Sequence, residues 1–327
     1  MKEVKVGLLG LGNIGTGSYK TLEMNRKKIA AVAGADIRIV KILEKEDKFD
    51  IERDINVTRE QFTSDPEEIF NDPEIDIVIE LLGGIEPAST FMLSAMNHGK
   101  SVVTANKAAV AASWRALNDA AKRNNVMFRF EAAVGGGIPI LNALTTVLQA
   151  NEYEEILGIL NGTTNYILTQ MTEYGLDYDE VLKIAQEKGF AEADPTADVE
   201  GIDVANKLSI LMALAFDKYV PPTDIPTEGI TKITKKKLDV AKANGCKVKL
   251  IASAKKVGDQ IEYHVGPEEL PVSHPLAGVS NEFNAVFVKG NAVDDLMFYG
   301  KGAGPLPTGS AVIGDVLEIA KTIAAHR

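Results

Sequence analysis

The chain has a single cysteine, Cys246, among its 327 residues, which excludes an internal disulfide and any cysteine-rich zinc site. It also lacks an apolar run approaching the roughly 20 residues that span a bilayer. The N-terminal MKEVKVGLL enters a strand pattern at once, without the layout of a signal peptide. A soluble, cytoplasmic protein with no membrane partner is expected. Positive charge is in deficit, with 35 Lys and Arg against 46 Asp and Glu, a net charge of −11. With no basic stripe to offset that balance, nucleic acid is not an expected partner. The one basic run, Lys235-Lys236-Lys237, reads as the exposed face of a short helix. There is no internal repeat and no low-complexity tract. A hydrophobic content of 45% and a charged content of 25% are ordinary globular values, and the length calls for two or more domains.

What is present begins with a buried-strand pattern, Val4 to Leu9, followed directly by Gly10-Leu11-Gly12-Asn13-Ile14-Gly15. This is G-x-G-x-x-G between a strand and a helix, the context that makes the motif a dinucleotide site. Gly10 allows the tight turn, Gly12 lets backbone approach a pyrophosphate, and Gly15 lets helix pack on strand. The free N–H groups of the following helix, from Asn13 and Ile14 on, suit phosphate. A second strand, Ile37 to Leu43, ends in Glu44-Lys45-Glu46-Asp47-Lys48. Glu44 could hold a ribose diol, and Lys45 or Lys48 a 2′-phosphate, so NAD and NADP both remain open. A further strand, Ile75 to Leu82, ends in Gly83-Gly84, and the strand Ser101 to Thr104 carries Ala105-Asn106-Lys107 at its carboxyl end. Ligands of open α/β sheets bind at those ends, which aims Lys107 at cofactor or substrate. A lysine is disfavoured at a helix N-terminus, so merely opening the next helix is the weaker reading.

The strand Val126 to Glu131 leads into Val134-Gly135-Gly136-Gly137-Ile138. Exposed carbonyls beside Glu131 could make an oxygen-rich cation site, though by themselves they read first as a hinge between domains. From Tyr153 the pattern becomes a weak strand, a helix opened by Asn161-Gly162-Thr163-Thr164, and then strands between Lys247 and Met297. This block reads as an α+β domain with an antiparallel sheet. The chain closes with the glycine-rich Gly300-Lys301-Gly302-Ala303-Gly304 and an apolar-periodic helix from Ser310. That loop is a second approach of backbone to cofactor, with the last helix packing on the first domain. The fold class is therefore α/β: a Rossmann-type nucleotide-binding domain at 1–132 plus 305–327, and a second α+β substrate and dimerisation domain at 133–304.

One stretch organises the rest. An acidic run, Glu192, Asp194, Asp198, Glu200 and Asp203, gives way to an apolar helix from Val204 to Phe216. Asp203 and Lys207 are four residues apart and share one face. On a surface helix they would be a solvated pair, but a helix apolar nearly all round is buried, which places the pair at an internal cleft.

The segment KGFAEADPTADVEGIDVANKLSIL resembles the substrate-site signature of homoserine dehydrogenases. GLGNIGTG, IELLGG, TANKA, EAAVGGGIPI, GILNGTTNYIL, HPLAGV with NAVFVKG, and GKGAGPLPTGSAV occur in that family's order, so the resemblance covers almost the whole chain. It implies oxidation of L-homoserine to L-aspartate 4-semialdehyde with NAD or NADP, in threonine, methionine and isoleucine biosynthesis, by a homodimer. It further implies that Lys207 and Lys107 flank the reacting carbon, with Lys207 as acid/base. Glu192 and Asp203 hold the substrate, and Gly162, Thr163, Phe190 and Asp198 line its pocket. Glu131 with the carbonyls of Val134, Gly136 and Ile138 matches the family's monovalent cation site, usually sodium. Two departures stand out: Phe190 where tyrosine is frequent, and no arginine directly after the second strand. The chain ends soon after the last helix, so a C-terminal regulatory domain is not expected. The competing expectations are another Rossmann-fold NAD(P)-dependent amino-acid or hydroxy-acid dehydrogenase, or a non-catalytic dinucleotide sensor.

Overall fold

The structure, a computed structural model, describes residues 2–326 and divides into two compact units, 1–137 with 303–327 and 138–302. The first division falls directly after the three glycines that the sequence marks as a hinge.

In the first unit the strands are β1 (Lys2–Leu9), β2 (Ala35–Leu43), β3 (Phe62–Thr63), β4 (Ile75–Glu80), β5 (Ser101–Thr104) and β6 (Phe128–Arg129). They pair in parallel in the order β3-β2-β1-β4-β5-β6, the doubly wound order whose connections reverse direction between β1 and β4. β1 and β4 are apolar on both faces because helices cover both sides, as parallel sheets require. Val4, Val6, Leu8, Ile37, Ile39, Ile77 and Ile79 form one core with Val312, Ile313, Val316 and Ile319 of the C-terminal helix. That helix spans Pro305–His326 and starts earlier than the Ser310 expected from periodicity. Proline at 305 and 307 falls in the first turn, where a missing N–H costs nothing. β6 is shorter than the Val126-to-Glu131 strand expected, because Glu131–Ala133 turn into a single 3₁₀ turn.

The second unit carries β7 (Tyr153–Ile159), β8 (Cys246–Val257), β9 (Gln260–Pro271), β10 (Phe283–Gly290) and β11 (Asp294–Lys301). All pair antiparallel in the order β11-β10-β7-β8-β9. The isolated strand β7 thus becomes the centre of the sheet. The helices Gly162–Tyr174, Ile202–Ala215 and Lys235–Ala243 pack against β8. Lys235, Lys236 and Lys237 are exposed at the start of the last of these, as the sequence predicts.

One buried cation ties this sheet to its loops. Lys249 on β8 is 2% exposed and donates to the carbonyl of Val279 at 2.6 Å and to Asn165 Oδ1 at 3.0 Å. Asn165 Nδ2 in turn donates to the carbonyls of Val279 and Phe283. Burial pulls the Lys249 ammonium down from 10.5 to about 8. Between pH 8 and 10.5 the unfolded chain keeps a proton that the folded chain has lost, so stability rises with pH across that window. The span corresponds to on the order of 3 kcal/mol. Urea unfolding at pH 7.5 and pH 10 should show the native protein gaining about 2 kcal/mol of it relative to Lys249→Met, which cannot titrate. Parallel pH profiles for the two proteins would contradict the assignment.

Candidate active site

The glycine-rich turn and Lys107 lie at the carboxyl ends of β1 and β5, beside those of β2 and β4. After β1, Gly10 adopts φ +94°, and a Cβ there would stand 2.9 Å from the Leu81 carbonyl oxygen. A Cβ on Gly15 would meet the Gly10 carbonyl oxygen at 2.3 Å, whereas one on Gly12 would meet nothing within 4 Å. The three glycines therefore serve as turn, open approach and close packing, in that order. The open side is a cavity of about 540 Å³ whose lining includes Gly12, Asn13, Glu44, Lys48 and Arg53. Glu44 sits just past β2 with Oε2 accepting from Leu11 N–H at 3.1 Å and Oε1 accepting from Lys45 N–H at 3.0 Å. Lys45 itself is exposed and is not part of the cavity wall. Ile14 supports the helix behind the loop, its carbonyl accepting from Ser18.

A second buried web fixes the ends of β4 and β5. Glu80 is fully buried, and burial pushes its carboxyl above the usual range. Its Oε2 accepts from the Thr104 hydroxyl at 2.6 Å, and its Oε1 from Leu82 N–H at 2.7 Å. Thr104 Oγ1 accepts from Asn106 N–H, and Asn106 Nδ2 donates to the Gly84 carbonyl. Asn106 Oδ1 then caps the helix Lys107–Ala112 by accepting from Ala109 N–H. Lys107 is therefore both at the end of β5 and the first residue of a helix, the position judged weaker from sequence. The asparagine cap and the Glu80 web hold it there despite the unfavourable dipole. Gly83 and Gly84, both at positive φ, form the turn that this web anchors.

At the end of β6, Glu131 is buried and its N–H donates to Asp315 Oδ2 at 2.9 Å. Burial and the Glu131 charge together push the Asp315 carboxyl up to about 8. Val134 is buried, Gly135 and Gly136 are at positive φ, and Ile138 opens the second unit. Among the described residues no group of three or more His, Cys, Asp or Glu is arranged to hold a metal ion. A site of one carboxylate and backbone carbonyls is of a different kind. In the closing glycine loop, Gly302 ends the second unit against the side chain of Asn284, while Ala303 and Gly304 return to the first.

The Asp203–Lys207 pair lies in the second unit. Lys207 and Asp203 lie on the helix Ile202–Ala215, with Lys207 Nζ donating to Asp203 Oδ2 at 2.7 Å and to the Leu160 carbonyl at 2.7 Å. Lys207 is 9% exposed and Asp203 6%. The helix is apolar on most sides, so the pair is buried as the pattern predicts. Asn161, which the sequence suggested only as a helix opener, links the acids: its Nδ2 donates to Asp198 Oδ1 at 2.7 Å and to Asp203 Oδ2 at 3.0 Å. Its Oδ1 caps the helix Gly162–Tyr174 by accepting from Thr164 N–H. Thr163 Oγ1 donates to the Phe190 carbonyl at 2.6 Å, which brings the 160s and the 190s together. The structure thus gathers Lys207, Asp203, Asp198, Gly162, Thr163 and Phe190. Glu192 is exposed two residues beyond Phe190, its carbonyl accepting from Gln186.

The two halves match two family models. That for the homoserine dehydrogenase NAD-binding domain covers residues 10–131, and that for homoserine dehydrogenase covers residues 139–317. The chain belongs to the homoserine dehydrogenase family. The homoserine dehydrogenase of Bacillus subtilis is 42% identical over 323 residues, covering 99% of this chain and 74% of that protein. That of Lactococcus lactis is 40% identical over 97% of this chain and 74% of its own length. Among solved structures, a homoserine dehydrogenase from Thiobacillus denitrificans superposes with a TM-score of 0.94 at 42% identity, over 99% of this chain and 75% of that one. A hyperthermophilic archaeal homoserine dehydrogenase in complex with NADPH superposes with a TM-score of 0.80 at 26% identity, over 97% of each chain. The chain is accordingly an oxidoreductase with a nicotinamide-dinucleotide domain acting on a small molecule. No helix among the described residues is long and apolar enough to cross a membrane.

Proposed function

We propose that the chain interconverts L-homoserine and L-aspartate 4-semialdehyde, with Lys207 exchanging the proton of the substrate hydroxyl. The observation that carries this reading is the Lys207 ammonium: buried, fixed by Asp203 and the Leu160 carbonyl, and left with one N–H for a substrate oxygen. A bound nicotinamide supplies the hydride chemistry, and the protein supplies orientation and the proton. In aldehyde reduction the Lys207 ammonium donates a proton to the oxygen as negative charge develops on it and is left as the amine; in alcohol oxidation the neutral amine receives that proton. Asp203 fixes the rotamer of Lys207, and Asn161 fixes Asp203. Lys107 is assigned a second cationic role toward the same oxygen. Glu192 is assigned to the substrate ammonium, with Asp198, Gly162, Thr163 and Phe190 shaping the rest of the pocket.

Glu131 is buried beside Asp315, whose carboxyl is pushed up by burial and by the Glu131 charge, an electrostatic strain that a monovalent cation such as sodium would relieve. Glu131 and the carbonyls of Val134, Gly136 and Ile138 would hold it, in a structural role. Dimerisation through the second unit is supported by the edge strand β11, which leaves Met297 and Tyr299 exposed on alternate positions. The working location is the cytoplasm.

Dinucleotide absorbance with L-homoserine at alkaline pH tests the reaction directly. Turnover is expected, and Lys107→Ala should retain more of it than a Lys207 variant. Silence with homoserine together with turnover of a different hydroxy or amino acid would favour the other dehydrogenases.

A further inference from the structure

The loop that leads into β10 is held by the Lys249 ammonium and by one helix. The Val279 carbonyl accepts from Lys249 Nζ at 2.6 Å and from Asn165 Nδ2 at 3.3 Å, and the Phe283 carbonyl accepts from Asn165 Nδ2 at 3.0 Å. Between those two carbonyls, Asn281 N–H donates to Thr169 Oγ1 at 3.1 Å, and Asn281 Oδ1 accepts from Gln170 Nε2 at 3.1 Å. Asn281 is at φ +58°, a left-handed conformation that asparagine tolerates better than most residues. Asn165, Thr169 and Gln170 all lie on the helix Gly162–Tyr174. The pinned loop then meets the first residue of that same helix. A Cβ on Gly162 would stand 2.7 Å from the Glu282 carbonyl oxygen and 3.6 Å from Asn284 Oδ1.

Resting on the reading of Gly162 and Thr163 as pocket wall, we infer that Lys249 is a positioning residue for the substrate. By holding the loop 279–283 it keeps the Glu282 carbonyl against Gly162, and so fixes the turn that faces the substrate. Burying a charge costs stability unless it is well satisfied, and an apolar side chain would hold sheet to helix without that cost. Neither acceptor that Lys249 meets in this network is a carboxylate. What the ammonium supplies is direction, several N–H groups diverging from one atom. One reaches the Val279 carbonyl and another Asn165 Oδ1, which turns Asn165 Nδ2 toward the carbonyls of Val279 and Phe283. A single side chain thereby sets both ends of the loop. Lys207 has its own anchors, Asp203 and the Leu160 carbonyl, and stays in place when the loop shifts.

Steady-state kinetics with L-homoserine at saturating dinucleotide test this at pH 7, below the value of about 8 at which the Lys249 ammonium gives up its proton. Lys249→Met, which keeps the apolar stem, should raise KM for L-homoserine roughly 10-fold and lower kcat by less than about 3-fold. Titration calorimetry of the same variant with dinucleotide should be unchanged, because Lys249 and the loop belong to the second unit. Gln170→Ala frees the loop at Asn281 without disturbing a buried charge, and it should raise KM in the same direction by less. It decides the matter alone if Lys249→Met does not fold. A folded Lys249→Met with native KM, or with kcat falling as far as kcat/KM, would overturn the inference, and the lysine would then serve the fold alone. Native KM in Gln170→Ala would overturn it where Lys249→Met cannot be recovered. Failure of the native protein to turn over L-homoserine would overturn the underlying reading as well.

Discussion

Lys207→Met is expected to lower kcat by about 10³-fold, within the range for loss of a general acid/base. Methionine is chosen because it keeps the buried stem of the lysine and removes only the ammonium. Dinucleotide affinity, measured by the same calorimetry, should be unchanged, since Lys207 belongs to the other unit. The variant should also be less stable by about 3 kcal/mol, because it strands the Asp203 carboxylate in a buried site. Asn161 would still donate to Asp203 but cannot neutralise it. Lys207→Met with Asp203→Asn should therefore recover most of the stability and none of the rate. Stability restored together with activity would show that the lysine acts only as a structural counter-ion, and the acid/base role would then pass to Lys107 or to water.

A stability effect of similar size is expected where no side chain exists. A Cβ added at Gly17 would stand 2.1 Å from the Pro305 carbonyl oxygen, and one at Gly309 would stand 2.6 Å from the Gly17 carbonyl carbon. Both obstacles are backbone, so nothing can rotate away. The helices Asn13–Met24 and Pro305–His326 meet along this seam with backbone against backbone. Gly17→Ala should cost about 3 kcal/mol, the upper end of ordinary overpacking. Thermal unfolding should fall by roughly 5–10 °C. Because Gly17 lies one turn after the phosphate loop, dinucleotide binding should weaken too, while the second unit keeps its fold. An unaltered melting transition would mean that the two helices slide apart freely.

Local signals carried much of this architecture. The G-x-G-x-x-G turn, the strands around it and the Asp203–Lys207 pair depend on contacts within about a helical turn of sequence, where periodicity and spacing are informative. Parts that depend on partners far along the chain were not legible. Asn161 looks like an ordinary helix cap until Asp198 and Asp203 arrive beside it from about 40 positions on. Arg53 sits in a loop without pattern, and only the fold shows that it donates to the carbonyls of Leu11, Lys48 and Ile51. Glu80 reads as one polar residue at a strand end, yet its bonds to Thr104 and Leu82 set the approach to Lys107. β7 reads as a weak strand because its neighbours β8 and β10, which make it central, come roughly 90 to 130 residues later. The expected arginine after β2 is absent from positions 44–48, but an arginine does reach that corner from position 53.

The division of the first unit between the two ends of the sequence has a consequence for how the protein is made. On the ribosome, residues 138–302 emerge as one uninterrupted piece and can complete their sheet while the earlier segment waits. Until Pro305–His326 is translated, Val4, Leu8, Ile37 and Ile39 lack the side chains of Val312, Ile313, Val316 and Ile319 that cover them, and the bare glycine seam of the first helix is open. The nascent chain thus presents a greasy, half-roofed nucleotide fold until Pro305–His326 emerges and closes it.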